Sequence, residues 1–400
     1  MLYNQPSSPI APLVTLSPSC KTDLIMQLIS MAPMSSSTLS SRFLSCLHHH
    51  HQRHQRARVF ADSDSKTGPS ASQPFQTNLS DMLQKLTNVS NDDDAQPYSP
   101  SSKLSPLMDV TWVYHVLDVV VAAQGSVKQV LLTHTMAHAS SSHQKRMQHY
   151  MQANVKMLDA CRLLEETLTR AHSSIKASHQ AVQCLRRLKL TNQGGIQRAQ
   201  HALLFAAKVA NPQFSTKRLQ GCRSMLRKMG GDILAPPTAT NYEDLKTGAC
   251  MAALYGNEIC TLFFLGHLAT ALACPGQGRS SSCLAMALPP HVAGQVVWGP
   301  ALFALQARLH KQLSQTFKTQ RSAITLFPEM GTLEASLHNL SKSLQQVPPT
   351  QQARKDVQDL VQSTSLLVDD LQCSMARLQH HLECVRASLV DIQMTLHKSC

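Results

Sequence analysis

GACMAALYGNEICTLFFLGHLATALAC, residues Gly248 to Cys274, is the most continuously apolar segment of the chain, and its reading decides the fold. A helix that is apolar nearly all round must be covered by protein or by lipid. Only Asn257, Glu258, Thr261, His267 and Thr270 interrupt this one. Its uncharged part, Ile259 to Cys274, has 16 residues, short of the roughly 20 needed to cross a bilayer. Upstream, Thr240-Asn241-Tyr242-Glu243 is a T-x-x-E capping box, which opens a helix by satisfying its first amides. Downstream, Cys274-Pro275-Gly276 stops it. These signals predict a buried central helix over 241–274. The alternative is a single-pass membrane protein anchored by residues 259–274.

Outward from that helix, the flanking sequence reads as all-α. Aromatic residues make up 4% of the 400 positions, and beyond the first hundred residues good helix formers dominate. Val113, Val116, Leu117, Val120, Val127, Val130 and Leu131 recur at steps of three and four, predicting one amphipathic helix that ends in a polar loop at Ser140 to Ser142. A second helix is expected to carry Met151, Val155, Leu158, Cys161 and Leu168 inward, and a third to run toward Leu188 before a break at Asn192 to Gly195. Gln197 to Ala210 and Thr216 to Met229 read as shorter helices split by Asn211-Pro212. Beyond the apolar helix, a helix is expected over 292–325, with Val296, Leu302, Leu305, Leu309 and Leu313 inward, and a short one over 330–346.

The C-terminal stretch, 351–397, has the cleanest period. Val357, Val361, Thr364, Val368, Leu371, Met375, Leu378, Leu382, Val385, Leu389, Ile392 and Leu396 alternate by four and three, a coiled-coil seam. It packs either within the bundle or against a partner helix. An intramolecular hairpin with the preceding helices is the first expectation.

Residues 1–105 are rich in Ser, Pro, Gln and Asn and read as a disordered region, with the folded domain over 106–400. Arg42 to Phe60 holds four consecutive histidines and nearby arginines. That composition is expected in a solvated low-complexity tract, since metal ligands need fixed geometry. Asp23 is the only acid before Asp62, so an organellar transit peptide is an alternative.

The charge of +13 is uneven. Residues 106–240 hold 17 basic against 6 acidic residues, and 167–231 hold 12 Lys or Arg with no Asp or Glu. Such a surface attracts anionic lipid or an acidic protein. The candidate contact surface is Arg186, Arg187, Lys189, Lys217, Arg218, Arg223, Arg227 and Lys228. Nucleic acid is not expected, because only Tyr150, Phe205 and Phe214 between 128 and 231 could stack on bases.

Catalytic patterns are missing from the sequence. No phosphate-binding glycine loop and no G-x-S-x-G elbow occurs. His134 and His138 lack the carboxylate of H-E-x-x-H. None of the 12 cysteines forms C-x-x-C, and the pairs Cys250/Cys260, Cys274/Cys283 and Cys373/Cys384 lack finger spacing. Reduced thiols in a cytosolic setting are expected. Glu258 is the one acid placed to carry a shifted pKa, and a structural ion pair with a Lys or Arg is expected for it. The chain therefore reads as a non-enzyme with no catalytic residue, cofactor or metal.

ALYGNEICTLFFLGHLATAL, with GCRSMLRKMGGDI before it, resembles the plant BYPASS family, also described as ROH-type proteins. WVYHVLDVVVAAQGSVKQVL (Trp112 to Leu131), YMQANVKMLDACRLLEE (Tyr150 to Glu166) and QAVQCLRRL (Gln180 to Leu188) agree in order and spacing. The similarity covers about residues 106–400 and thins after Gly276. It departs in the histidine-bearing N-terminal region and the loop Ser280 to Pro290. The resemblance implies a helical plant protein without known catalytic activity. Its expected role is in root and shoot development through a mobile signal, with an exocyst subunit as partner and a link to polarised secretion. The combined expectation is an all-α, elongated bundle of long antiparallel helices in the cytoplasm. It is peripheral on endomembranes, of unknown oligomeric state, and has a single-pass or organellar protein as its alternative.

Overall fold

The computed structural model describes residues 73–88, 109–133, 141–187, 193–209, 216–233, 236, 244–272, 293–319, 327–345 and 351–399. The capping box, the Cys274-Pro275-Gly276 stop, Arg42 to Phe60, His134 and His138, Lys189, Cys274 and Cys283 lie outside the described residues. All regular structure among the described residues is helical: α1 (Gln73–Asn88), α2 (Val110–Thr133), α3 (Ser141–Arg187), α4 (Gln193–Val209), α5 (Thr216–Gly231), α6 (Asp244–Leu272), α7 (Gly299–Thr319), α8 (Pro328–Gln345) and α9 (Gln351–Ser399). They belong to the compact unit 69–400.

The apolar helix α6 is the centre. From Ala249 to Leu272 only Ala252 and Gly266 are not buried, and α2, α3, α5 and α1 all pack on it. By length and composition alone, Val110–Thr133 and Thr247–Leu272 could each cross a membrane. Protein covers α6 on every side, so its all-round hydrophobicity is that of a core helix.

Around α6 the directions follow from cross-helix pairs. Gln124 Nε2 meets Thr261 Oγ1 at 3.5 Å and Cys250 Sγ meets the Val130 carbonyl at 3.9 Å, so α2 and α6 are antiparallel. Asp118–His381 and Lys128–Asp391, at 2.8 and 2.7 Å, make α2 and α9 parallel. Glu165–Arg386 and His179–Asp369, at 2.7 and 3.1 Å, make α3 and α9 antiparallel.

All twelve heptad positions of α9 are buried. The seam is thus internal, and its mates are α3 and α2 rather than the helices just before it, although α8 also touches α9. A satellite core closes the far end, where Ala177, Ala181, Val182 and Leu185 of α3 pack with Ala199, Leu203 and Ala206 of α4, Leu340 and Leu344 of α8, and Val357 and Val361 of α9.

Four expectations are corrected. The folded part starts before 106: Phe75, Leu79, Leu83 and Leu86 of α1 recur every three or four residues and are buried against α7, α2 and α6. Arg308 Nη1 donates to the Thr87 carbonyl and ties down the end of α1, where a cation suits the helix dipole. Next, the second and third expected helices are one 47-residue helix, α3. Its buried stripe is Tyr150, Asn154, Met157, Cys161, Leu164 and Leu168, while Val155 is 50% exposed. Third, Gly194 and Gly195 lie inside α4 rather than in a break before it. Last, the helix expected from 292 begins at Gly299, preceded by a turn in which the Gly299 amide donates to the Val296 carbonyl at 3.0 Å.

Two glycines fit for steric reasons. A Cβ on Gly299 would lie 2.2 Å from the Ala293 carbonyl oxygen. A Cβ on Gly256 would meet Phe75, Trp298 and Leu79 at 3.1, 3.2 and 3.3 Å, which is how α1 approaches α6 so closely.

Candidate functional site

The predicted basic surface divides in two. α5 buries Leu219, Cys222, Leu226 and Met229 against α6 and α3. That seam sends Lys217, Arg227 and Lys228 outward as exposed residues, while Arg218 and Arg223 sit on its flanks. Arg218 Nη1 pairs with Glu166 Oε2 at 2.8 Å, and Arg223 Nε is buried without a partner. Arg186 and Arg187 end α3 and are exposed, with Arg186 Nη1 reaching Ser365 Oγ at 3.5 Å. Glu166 and Arg186 are 20 residues apart on one helix, about 30 Å at 1.5 Å per residue. The seven described cations therefore form two groups rather than one continuous patch. Along α3, the seat of α4 at Ala177 to Leu185 lies between the two groups, and the outer side of α4 has no role in the sequence reading.

Inside the bundle, two polar residues of α6, Asn257 and Thr261, bridge helices, while Thr270 Oγ1 donates to the Gly266 carbonyl of its own helix. Asn257 Nδ2 donates to Tyr150 Oη at 2.8 Å, and Thr261 Oγ1 donates to Asn257 Oδ1 at 3.4 Å. With Gln124 this forms a buried polar string linking α2, α6 and α3. On the other side of α3, Asn154 Nδ2 donates to the Leu389 carbonyl at 3.0 Å and to Gln393 Oε1 at 2.8 Å. These bonds fix the register of long helices whose apolar seams alone would tolerate sliding.

Glu258 is 6% exposed, and no ion pair among the described residues includes it. The expected Lys or Arg partner is not found among the described residues. Burial instead raises its carboxyl to about 7, so the group carries a proton for much of the neutral range. Burial first, and Glu258 second, push Tyr150 upward and Tyr255 to about 12.

His267 is fully enclosed, and burial lowers its imidazole to about 4. Among the described residues, both ring nitrogens and Trp112 Nε1 have no hydrogen-bond partner. The two rings meet edge to face at 5.5 Å and 79°, a geometry in which a ring N–H is received by a π face. The buried thiols are inert for a similar reason: burial raises Cys222 and Cys250 to about 11 and Cys260 to about 12, and the thiolate is the reactive form. Among the described residues no group of three His, Cys, Asp or Glu could hold a metal ion.

Known proteins place these elements in a family. Residues 34–228, which include α1 to α4 and most of α5, match the family model described as Protein ROH1-like. The chain is 22% identical over 305 residues to Protein BPS1, chloroplastic, of Arabidopsis thaliana, covering 75% of this chain and 78% of that one. No solved structure matches. The match begins well upstream of residue 106, in keeping with a folded part that already includes α1. Over residues 34–228 the chain carries the pattern of the ROH1-like family model, and it is a distant homologue of Arabidopsis BPS1.

Proposed function

We propose that this chain is a non-enzymatic helical scaffold of plant development, influencing root and shoot growth through a mobile signal. It works in the cytoplasm at the periphery of endomembranes and presents an anion-seeking surface to its partner. By the family resemblance, that partner is an exocyst subunit. The observation that carries the reading is α5, where an inward seam of Leu219, Cys222, Leu226 and Met229 fixes Lys217, Arg227 and Lys228 outward in a stretch, 167–231, without a single acid. The buried amides Asn154 and Asn257 support it too, because they are used in joining helices.

The test is co-elution of the full chain with purified exocyst, and rescue of a plant lacking the protein, by wild type and by K217E/R227E/K228E. These side chains are exposed, so the variant folds. Loss of both co-elution and rescue is expected. Unchanged behaviour in both assays contradicts the reading.

An organellar address is the second reading. The relative's printed name places that protein in the chloroplast, and Asp23 is the only acid in the first 61 residues here. A C-terminal fluorescent fusion decides between diffuse cytoplasmic and plastid signal.

A further inference from the structure

α4 carries two large apolar side chains on the outside of the molecule. Leu204 is 63% exposed and Phe205 51%, while Ala199, Leu203 and Ala206 of the same helix fill the satellite core. The helix is therefore seated by one side and apolar at a patch on the other. Adjacent positions on the outer side are Gln197, Arg198 and His201, all exposed, and no residue of α4 is acidic. Exposed leucine or phenylalanine is ordinary when single. A neighbouring pair of them, centred in a stretch of 12 Lys or Arg without Asp or Glu, is not.

The placement along α3 adds to this. α3 ends in exposed Arg186 and Arg187, and the chain turns back through α4, which packs along α3. α5 follows, with Arg218 tied to Glu166 farther down the same helix. Leu204 and Phe205 thus belong to a helix whose seat on α3, Ala177 to Leu185, lies along that helix between Glu166, which holds Arg218, and the terminal Arg186 and Arg187. Cations attract a surface of anionic headgroups, and a protruding apolar pair is buried once that surface is reached. Either signal alone gives marginal, reversible attachment, and the two together give stable attachment.

We infer that the outer face of α4 inserts Leu204 and Phe205 into an anionic lipid bilayer, with Arg198 and the basic groups at the end of α3 and on α5 holding the headgroups. This deepens the proposed peripheral membrane contact by naming the face and its mode. It rests on that reading for the presence of a membrane, and not for the exocyst partner.

The experiment uses the full chain with vesicles of phosphatidylcholine, with and without phosphatidylserine. The native tryptophans, Trp112 and Trp298, are buried, so F205W adds an exposed emitter whose environment can be followed. The F205W indole is expected to shift to the blue, and to be quenched by brominated acyl chains, only with phosphatidylserine vesicles. L204S/F205S, which alters exposed positions and keeps every charge, should bind those vesicles at least about tenfold more weakly.

Binding of L204S/F205S within about twofold of wild type, together with loss of binding in K217E/R227E/K228E, would show charge contact without insertion. That result overturns this inference and leaves the proposed anion-seeking surface standing. A blue shift of F205W with soluble polyglutamate but not with vesicles overturns it in favour of an acidic protein partner. No vesicle binding by wild type overturns both the insertion and the peripheral membrane contact.

Discussion

Asn154 of α3 donates through Nδ2 to the backbone carbonyl of Leu389 in α9, across 3.0 Å and a sequence separation of 235 residues. A buried amide reaching a helix carbonyl can be made at one register only, so it sets how α3 and α9 slide against each other. Removing it strands polar atoms, a loss of about 1–3 kcal/mol. N154A should therefore lower the urea midpoint by that amount, measured by circular dichroism, and N154D should lower it further because a carboxylate would face a carbonyl. N154L restores volume without the bond and should lose less stability than N154A.

Tyr150 and Asn257 make the matching bond between α3 and α6 at 2.8 Å. Y150F keeps the ring and leaves the Asn257 amide without its acceptor. A loss of about 1–3 kcal/mol is expected from that group's desolvation. The double variant Y150F/N257L also removes the Oδ1 that accepts from Thr261, and a denaturation series should show it no closer to wild type than Y150F.

Two buried groups give stability opposite slopes with pH. The carboxyl of Glu258 titrates near 7 in the folded chain and near its ordinary value when unfolded, so the folded state holds the extra proton between those values. Its contribution is complete below about pH 4.5 and is lost as pH rises through 7, amounting to at most about 3 kcal/mol. E258Q should flatten that decline, and at pH 8 it should be more stable than wild type.

His267 works the other way. Its folded value near 4 lies below its unfolded one, so its contribution is present above about pH 6.5 and is lost as pH falls through 4. H267Q should flatten the acid side of the profile. Thermal melts across pH 4 to 8 of both variants check the two signs independently.

The glycines should differ in severity. In G299A the new methyl meets the Ala293 backbone oxygen at 2.2 Å, and backbone cannot yield without opening the turn before α7. In G256A the neighbours are side-chain atoms of Phe75, Trp298 and Leu79 at 3.1 to 3.3 Å, which can give a few tenths of an ångström. Overpacking costs about 1–3 kcal/mol, so G299A belongs at or beyond the top of that range and G256A near its bottom. Melting temperatures of the two variants rank them.

The elements most legible in sequence were those whose burial is apolar and periodic. Every heptad position of α9 from Val357 to Leu396 is buried, and α6 is enclosed by protein, although its length and composition alone would also allow a membrane crossing. α1 was missed because Phe75, Leu79, Leu83 and Leu86 lie in a Ser-, Asn- and Gln-rich context, where their spacing was the only signal. The inward side of α3 was misread because it includes Tyr150 and Asn154, whose hydrogen bonds to α6 and α9 make burial tolerable. Val155, apolar and at helical spacing, lies 50% exposed beside them. The basic residues were legible as a charge and not as a surface, since two helices set them about 30 Å apart along α3. Leu204 and Phe205 gave no sign of exposure, because which side of α4 faces α3 depends on Ala199, Leu203 and Ala206 fitting a core assembled from four helices.

The central claim is that α6, the most apolar helix of the chain, is the core of a helical bundle and crosses no membrane. Alkaline carbonate extraction of membranes from cells expressing the full chain tests it most directly. Release of the protein into the supernatant, alongside a peripheral marker, is the predicted result. Retention in the pellet with an integral marker would contradict it and make Ile259 to Leu272 part of a membrane anchor.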